Sequence, residues 1–166
     1  MIIAAIDTGC RQGELRRLRW SDVDLQANTL RATSYKGKTV NRRLVPITDR
    51  LRVALLDLRA KPSVAAFRKL RTGDTADSTL VFGVVNNVKK SFDAARIEAG
   101  IPHIRFHDLR HTAGTFLAHG GMNIALVAEI LGHSDPKTTR RYINATVDTV
   151  EAARDILNKR QLVGSV

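Results

Sequence analysis

Cysteine is nearly absent from this chain: among 166 residues only Cys10 carries a thiol. A disulfide framework is therefore excluded, and a reducing compartment is expected. Aromatic residues make up 5% of the sequence, which argues against a single-strand binder that stacks bases on Phe, Tyr and Trp rings. Long apolar runs are missing too. The opening MIIAAIDTGC is short, lacks a basic segment and contains Asp7, so it is neither a secretory signal nor a membrane span. It reads as the end of a buried helix, and the chain is expected to begin inside a larger protein. Internal repeats and low-complexity tracts are absent. Acidic residues are in deficit, with 16 Asp and Glu against 27 Lys and Arg and a formal charge of +11. Such an excess on a small domain favours a polyanionic partner, because each neutralised phosphate releases counterions. Charge by itself fits a solvated basic surface or a ribosome-like basic protein equally well.

What is present is enough apolar material, 43%, for one domain with a core of its own. Helical periodicity with recognisable ends occurs in four stretches. Arg11 to Trp20 places Leu15 and Leu18 on one side, after the break at Thr8-Gly9. Asp49 to Arg59, behind Thr48, aligns Leu51, Leu55 and Leu58. A helix from His107 sets Leu109, Ala113, Phe116 and Leu117 on one stripe and closes at Gly120-Gly121. The fourth starts at Asn123 as N-cap, aligns Ile124, Val127, Ala128 and Leu131, and stops at Gly132. Between the first two, TLRATSYKGKTVNRRLVPI reads as a β-hairpin with lysines at its tip. DSTLVFG suggests a short strand or extended run before a helix from about Asn87 to Ala99, and Lys61 to Ser78 reads as a surface connection. The expected fold is α+β and mainly helical, with a small antiparallel β-sheet or hairpin packed on the helices. Residues 1–166 form a single domain.

The octapeptide RFHDLRHT places His107 and Arg110 one turn apart, on a face away from the Leu109 stripe. Histidine with arginine suits an anionic oxygen: the guanidinium grips it, and the imidazole donates or accepts a proton. A short HxxR is more often a helix start with a polar face. His103, His107 and His111 are spaced by four and raise the question of a metal site. Gly100 and Pro102 put His103 in the entry loop, however, and neither a cysteine cluster nor paired carboxylates complete a shell, so no metal is expected. Arg11 and Glu14 have helical spacing, which a surface pair also explains. Lys36 and Lys38 at a hairpin tip fit solvated side chains or simple phosphate contacts. Tyr142 follows Arg140 and Arg141. It fits a half-buried aromatic, or a phenol whose cationic neighbours favour the nucleophilic phenolate.

Each signal is weak, but their order and flanks are not. TGCRQGELRRLRWSDVDL, KGKTVNRRLVPI, FHDLRHTAGTFLAHGG and LGHSDPKTTRRYI together resemble the catalytic domain of the tyrosine recombinases, the phage-integrase family, from Thr8 to about Asn144. The resemblance implies metal-free DNA strand cleavage and rejoining, with no cofactor. Tyr142 would attack a phosphodiester to give a 3′-phosphotyrosine and a 5′-hydroxyl. Arg11 and Arg110 would clamp the non-bridging oxygens, His133 would donate to one of them, and Glu14 would steady Arg11. His107 would act as general acid-base. Lys36, with Lys38 as competitor, would protonate the leaving oxygen.

The resemblance further implies double-stranded DNA as partner and other protomers on DNA, in a tetrameric synapse for a full-length protein. The isolated chain is expected to be a monomer, with no membrane partner, in the cytoplasm of a prokaryote and associated with its nucleoid. Family members usually carry an N-terminal DNA-clamping domain, so the chain is expected to be a fragment. The tail 147–166 is expected to be a helix that docks on its own domain or on a neighbouring protomer. Two alternatives stay open: a non-catalytic duplex-binding remnant of the fold, and a type IB topoisomerase-like enzyme.

Overall fold

The computed structural model describes residues 1–60, 79–83, 88–101 and 103–133. The apolar opening forms α1 (Ile2–Thr8), whose Ala4, Ala5 and Thr8 are buried. It ends at Gly9 with φ 62, and the Gly9 N–H closes onto the Ala5 carbonyl. The left-handed conformation falls on the one residue that adopts it without Cβ strain. The next helix, α2 (Gln12–Arg17), is shorter than its periodicity suggests. Leu18 is already extended, and Trp20–Asp22 is a single 3-10 turn.

The chain then builds a three-stranded antiparallel sheet in the order β1 (Val23–Asp24), β2 (Thr29–Lys36), β3 (Thr39–Pro46). The hairpin register is continuous from Thr29↔Pro46 to Lys36↔Thr39, leaving a two-residue loop, Gly37-Lys38. Gly37 takes the positive φ this tight connection needs. Leu30, Ala32 and Val45 face the core, and all three are buried. Directly opposite residues of a ladder share a face, so Ala32↔Arg43 puts an arginine on the core side of β3.

Helix α3 (Asp49–Ala60) buries Leu51 and Leu55, and the Thr48 hydroxyl accepts from the Leu51 N–H. Leu58 is partly exposed. The DSTLVFG stretch contributes one bridge, Leu80 with Arg19, flanked by Trp20 N–H to Thr79 O and Val81 N–H to Leu18 O. Residues 61–78 lie outside the described residues. Helix α4 (Lys89–Glu98) inserts Phe92, which meets Phe106 edge to face at 5.4 Å. Helix α5 (Asp108–His119) packs against α1, and α6 (Ile124–Leu131) packs against α5 and β3.

Helix α5 corrects two expectations. Its buried residues are Leu109, Arg110, Ala113 and Gly114, whereas Phe116 is 69% exposed. The face toward α1 is therefore rotated from the apolar stripe toward Arg110. The two helices come close here: a Cβ added at Gly9 would lie 3.3 Å from that of Ala113. The mainly helical α+β architecture, with one small antiparallel sheet against the helices, is otherwise as expected. Among the described residues, no helix is long and apolar enough to cross a membrane.

Candidate active site

The turn Gly9-Cys10-Arg11 between α1 and α2 organises the site. Arg11 is the N-cap of α2 in extended conformation, and its N–H donates to Glu14 Oε2 at 2.7 Å. The carboxylate thereby meets one of the donors a helix start leaves unsatisfied. Arg11 Nη1 donates to Glu14 Oε1 at 3.1 Å, and Nη2 reaches 2.9 Å to the Gly132 carbonyl, 121 positions away in sequence. With its side chain 39% exposed, Arg11 keeps access to solvent.

Glu14 is different, with a side chain only 2% exposed. Arg43 holds it from the sheet side by a two-pronged pair, Nη1 to Oε1 and Nη2 to Oε2, each 2.8 Å. Arg43 Nε donates to the Ile130 carbonyl at 2.7 Å. Burial pushes the Glu14 carboxyl up. The hydrogen bonds and charge of Arg43, followed by those of Arg11, outweigh it, and the group lies below its ordinary value. For Arg43, burial is likewise outweighed by Glu14, so the guanidinium stays charged. Sequence reasoning missed Arg43. The available signal was the strand alternation, which puts position 43 in phase with Val45 and therefore on the core face.

His133 follows the C-terminus of α6. Gly132 has φ 68; its N–H bonds to Glu129 O and the His133 N–H bonds to Ala128 O, both at 2.9 Å. That pair of bonds closes the helix, and Arg43 and Arg11 take two further carbonyls of the same end. Arg110 is 2% exposed and donates from Nη1 to the Gly9 carbonyl at 2.7 Å. This overturns the expectation that Arg110 stands apart from the core side of its helix. It is anchored to the turn that carries Arg11.

His107 is the exposed N-cap of α5, and its ring meets His111 edge to face at 5.0 Å. Local desolvation, then the charges of His111, Arg110 and Arg11, lower its pKa, with Asp108 acting the other way. An imidazole held neutral this way can accept a proton. His107 also lines an open cleft of about 610 Å³ with Gln12, Lys89, Arg96, His103 and Arg105. Lys36 and Lys38 are both exposed. Lys36 shares its pleat face with Ala32 and Arg43, and Lys38 sits in the loop. Arg11, His107, Arg110 and His133 are thus gathered around one turn and one helix end. Tyr142 lies outside the described residues, as does the tail 147–166.

The arrangement gathers several cations around one buried carboxylate, Glu14. Residues 1–148 match the family model described as the phage integrase family. The chain is 31% identical over 160 residues to tyrosine recombinase XerC of Bifidobacterium longum (strain DJO10A), covering 87% of this chain and 42% of that protein. It spans less than half the length of that relative. Among solved structures, the catalytic domain of bacteriophage HP1 integrase is 27% identical with a TM-score of 0.65, over 93% of this chain and 78% of that one. XerH site-specific recombinase bound to its difH substrate shares the fold, with a TM-score of 0.68 at 24% identity, over 94% of this chain and 45% of that one.

Proposed function

Since this chain belongs to the phage integrase family of tyrosine recombinases, we propose that it is the catalytic domain of a site-specific DNA recombinase. In this reading it cleaves and rejoins duplex DNA through a 3′-phosphotyrosine. The observation that carries the proposal is the convergence of Arg11, His107, Arg110 and the His133 turn on one spot. The Tyr142 hydroxyl attacks the phosphorus, a P–O bond forms, and the bond to the 5′-oxygen breaks. His107 takes the phenolic proton, and Lys36 supplies one to the departing oxygen. Arg11 and Arg110 face the non-bridging oxygens, with His133 as a further donor. Such groups act by stabilising charge that develops in the transition state. Rejoining reverses the steps with the hydroxyl of a second strand, so the phosphoester bond is conserved. The partner is double-stranded DNA, and protomers assemble on it.

The test is adduct trapping. The chain is mixed, in EDTA, with nicked duplexes that lose the 5′-hydroxyl strand after cleavage. A denaturation-resistant DNA–protein band that vanishes in Tyr142→Phe is expected. Duplex binding without a band would favour the second reading, a binding remnant of the same fold. Relaxation of one duplex without exchange between two would favour a topoisomerase-like enzyme.

A further inference from the structure

Arg43 has no role in the chemistry just described, yet it is firmly anchored in the site. Its side chain is 8% exposed. A guanidinium in that position is costly unless its donors are met. They are met by the Glu14 carboxylate and the Ile130 carbonyl. Arg11 shares the first of these acceptors, donating from Nη1 to Glu14 Oε1, and takes a different carbonyl of the same helix end, that of Gly132, from Nη2. Gly132 itself rests on Arg43, since a Cβ there would lie 2.8 Å from Nη1 and 3.0 Å from Cζ. One guanidinium plane therefore serves as the floor of the turn that carries His133 and also occupies one face of the carboxylate that holds Arg11.

We propose that Arg43 is a positioning residue for strand cleavage. By occupying both Glu14 oxygens it limits the Arg11 guanidinium to a single hydrogen bond with that carboxylate, so Arg11 keeps donors directed outward. By holding Ile130 O it keeps the Gly132-His133 turn in place. Without Arg43, Glu14 would have two vacated acceptor positions, and Arg11, the nearest cation, would close onto both oxygens. Its guanidinium would then be withdrawn from the substrate. The C-terminus of α6 would also lose a cation that its dipole favours.

This inference rests on the strand-cleavage reading, and the experiment separates the two. The full chain, Arg43→Met and Arg43→Lys are assayed beside Arg11→Ala on two nicked duplexes. One has a normal scissile phosphate, and the other a methylphosphonate, which carries no charge for Arg11 to neutralise. Arg43→Met should cleave the normal duplex about 10²–10³-fold more slowly, the size expected for losing one well-placed donor, with duplex affinity retained. On the methylphosphonate its deficit should shrink as that of Arg11→Ala does. Arg43→Lys should fall between Arg43→Met and the unsubstituted chain, and it serves as the test variant if Arg43→Met does not fold. Equal deficits on both duplexes, or undiminished cleavage, would overturn the role.

A second readout does not depend on cleavage. The Arg11 Nε–H and the Gly132 and His133 amide resonances should shift in the Arg43 variants, and unshifted signals would also overturn it. An unsubstituted chain that forms no adduct would count against strand cleavage itself. The resonances would then decide whether Arg43 positions Arg11 and the His133 turn.

Discussion

Replacing Gly9 by alanine would put a methyl group where α1, α5 and α6 meet. Gly9 has φ 62, and its added Cβ would lie 2.3 Å from Leu131 Cδ2 and 3.3 Å from Ala113 Cβ. A left-handed conformation costs an L-residue about 1–2 kcal/mol. Leu131 is fully buried, so its methyl has no route to solvent, and relief must come from moving helices; overpacking of this kind costs about 1–3 kcal/mol. Together the expected loss is about 2–5 kcal/mol, a large part of the roughly 5–15 kcal/mol that stabilises a typical domain. The same shift would disturb the Gly9 carbonyl that receives Arg110. Gly13→Ala is the internal control: among the described residues its Cβ would meet only the Arg17 guanidinium, from 3.4 Å. Inside α2, alanine should be neutral or stabilising by up to about 1 kcal/mol. Urea titrations of the two variants, compared at equal m value, should move the midpoint in opposite directions or leave Gly13→Ala unchanged. A loss below about 1 kcal/mol in Gly9→Ala, or equal losses in both, would refute the packing assignment.

Glu14 should make stability depend on acid pH. Its folded carboxyl lies below the ordinary 4.5, so its stabilisation is complete above that value and is lost as pH falls through the folded pKa. Glu14→Gln should be less stable near neutrality by about 3–5 kcal/mol, since it leaves two guanidiniums around a neutral amide. The gap to the unsubstituted chain should narrow in acid, and a gap independent of pH would contradict the ion-pair account. Asn123→Ala should cost about 1 kcal/mol, because the Asn123 side chain accepts from the Ala125 N–H at 2.8 Å. Thermal denaturation should register it as a shift of about 2–4 °C. Duplex binding should weaken steeply with salt. Two neutralised phosphates alone give about a tenfold loss between about 50 and about 200 mM, measurable by fluorescence anisotropy, and a flat profile would exclude an electrostatic interface.

Local rules made much of the fold legible. Gly9 and Gly132 end helices because each takes a positive φ that other residues resist, and Asn123 begins one because its side chain replaces a missing acceptor. The hairpin could be read from its β-rich flanks and from Gly37, which tolerates the tight turn. The recombinase resemblance rested on ordered motifs, which need no knowledge of packing. Periodicity could not say which side of α5 faces α1. Phe116 belonged to the apolar stripe yet lies exposed, while Arg110 turned inward, where the Gly9 carbonyl receives its guanidinium. Nor could it reveal what Arg43 does. Strand phase put it on the core side, but a buried arginine is tolerated only where a carboxylate and carbonyls from distant segments meet its donors. The sequence by itself determined the helix ends at Gly9, Asn123 and Gly132, the hairpin and the family resemblance. Tertiary structure decided which cations share Glu14 and which carbonyls they cap, because desolvation and long-range hydrogen bonds exist only once α2, β3 and α6 have come together.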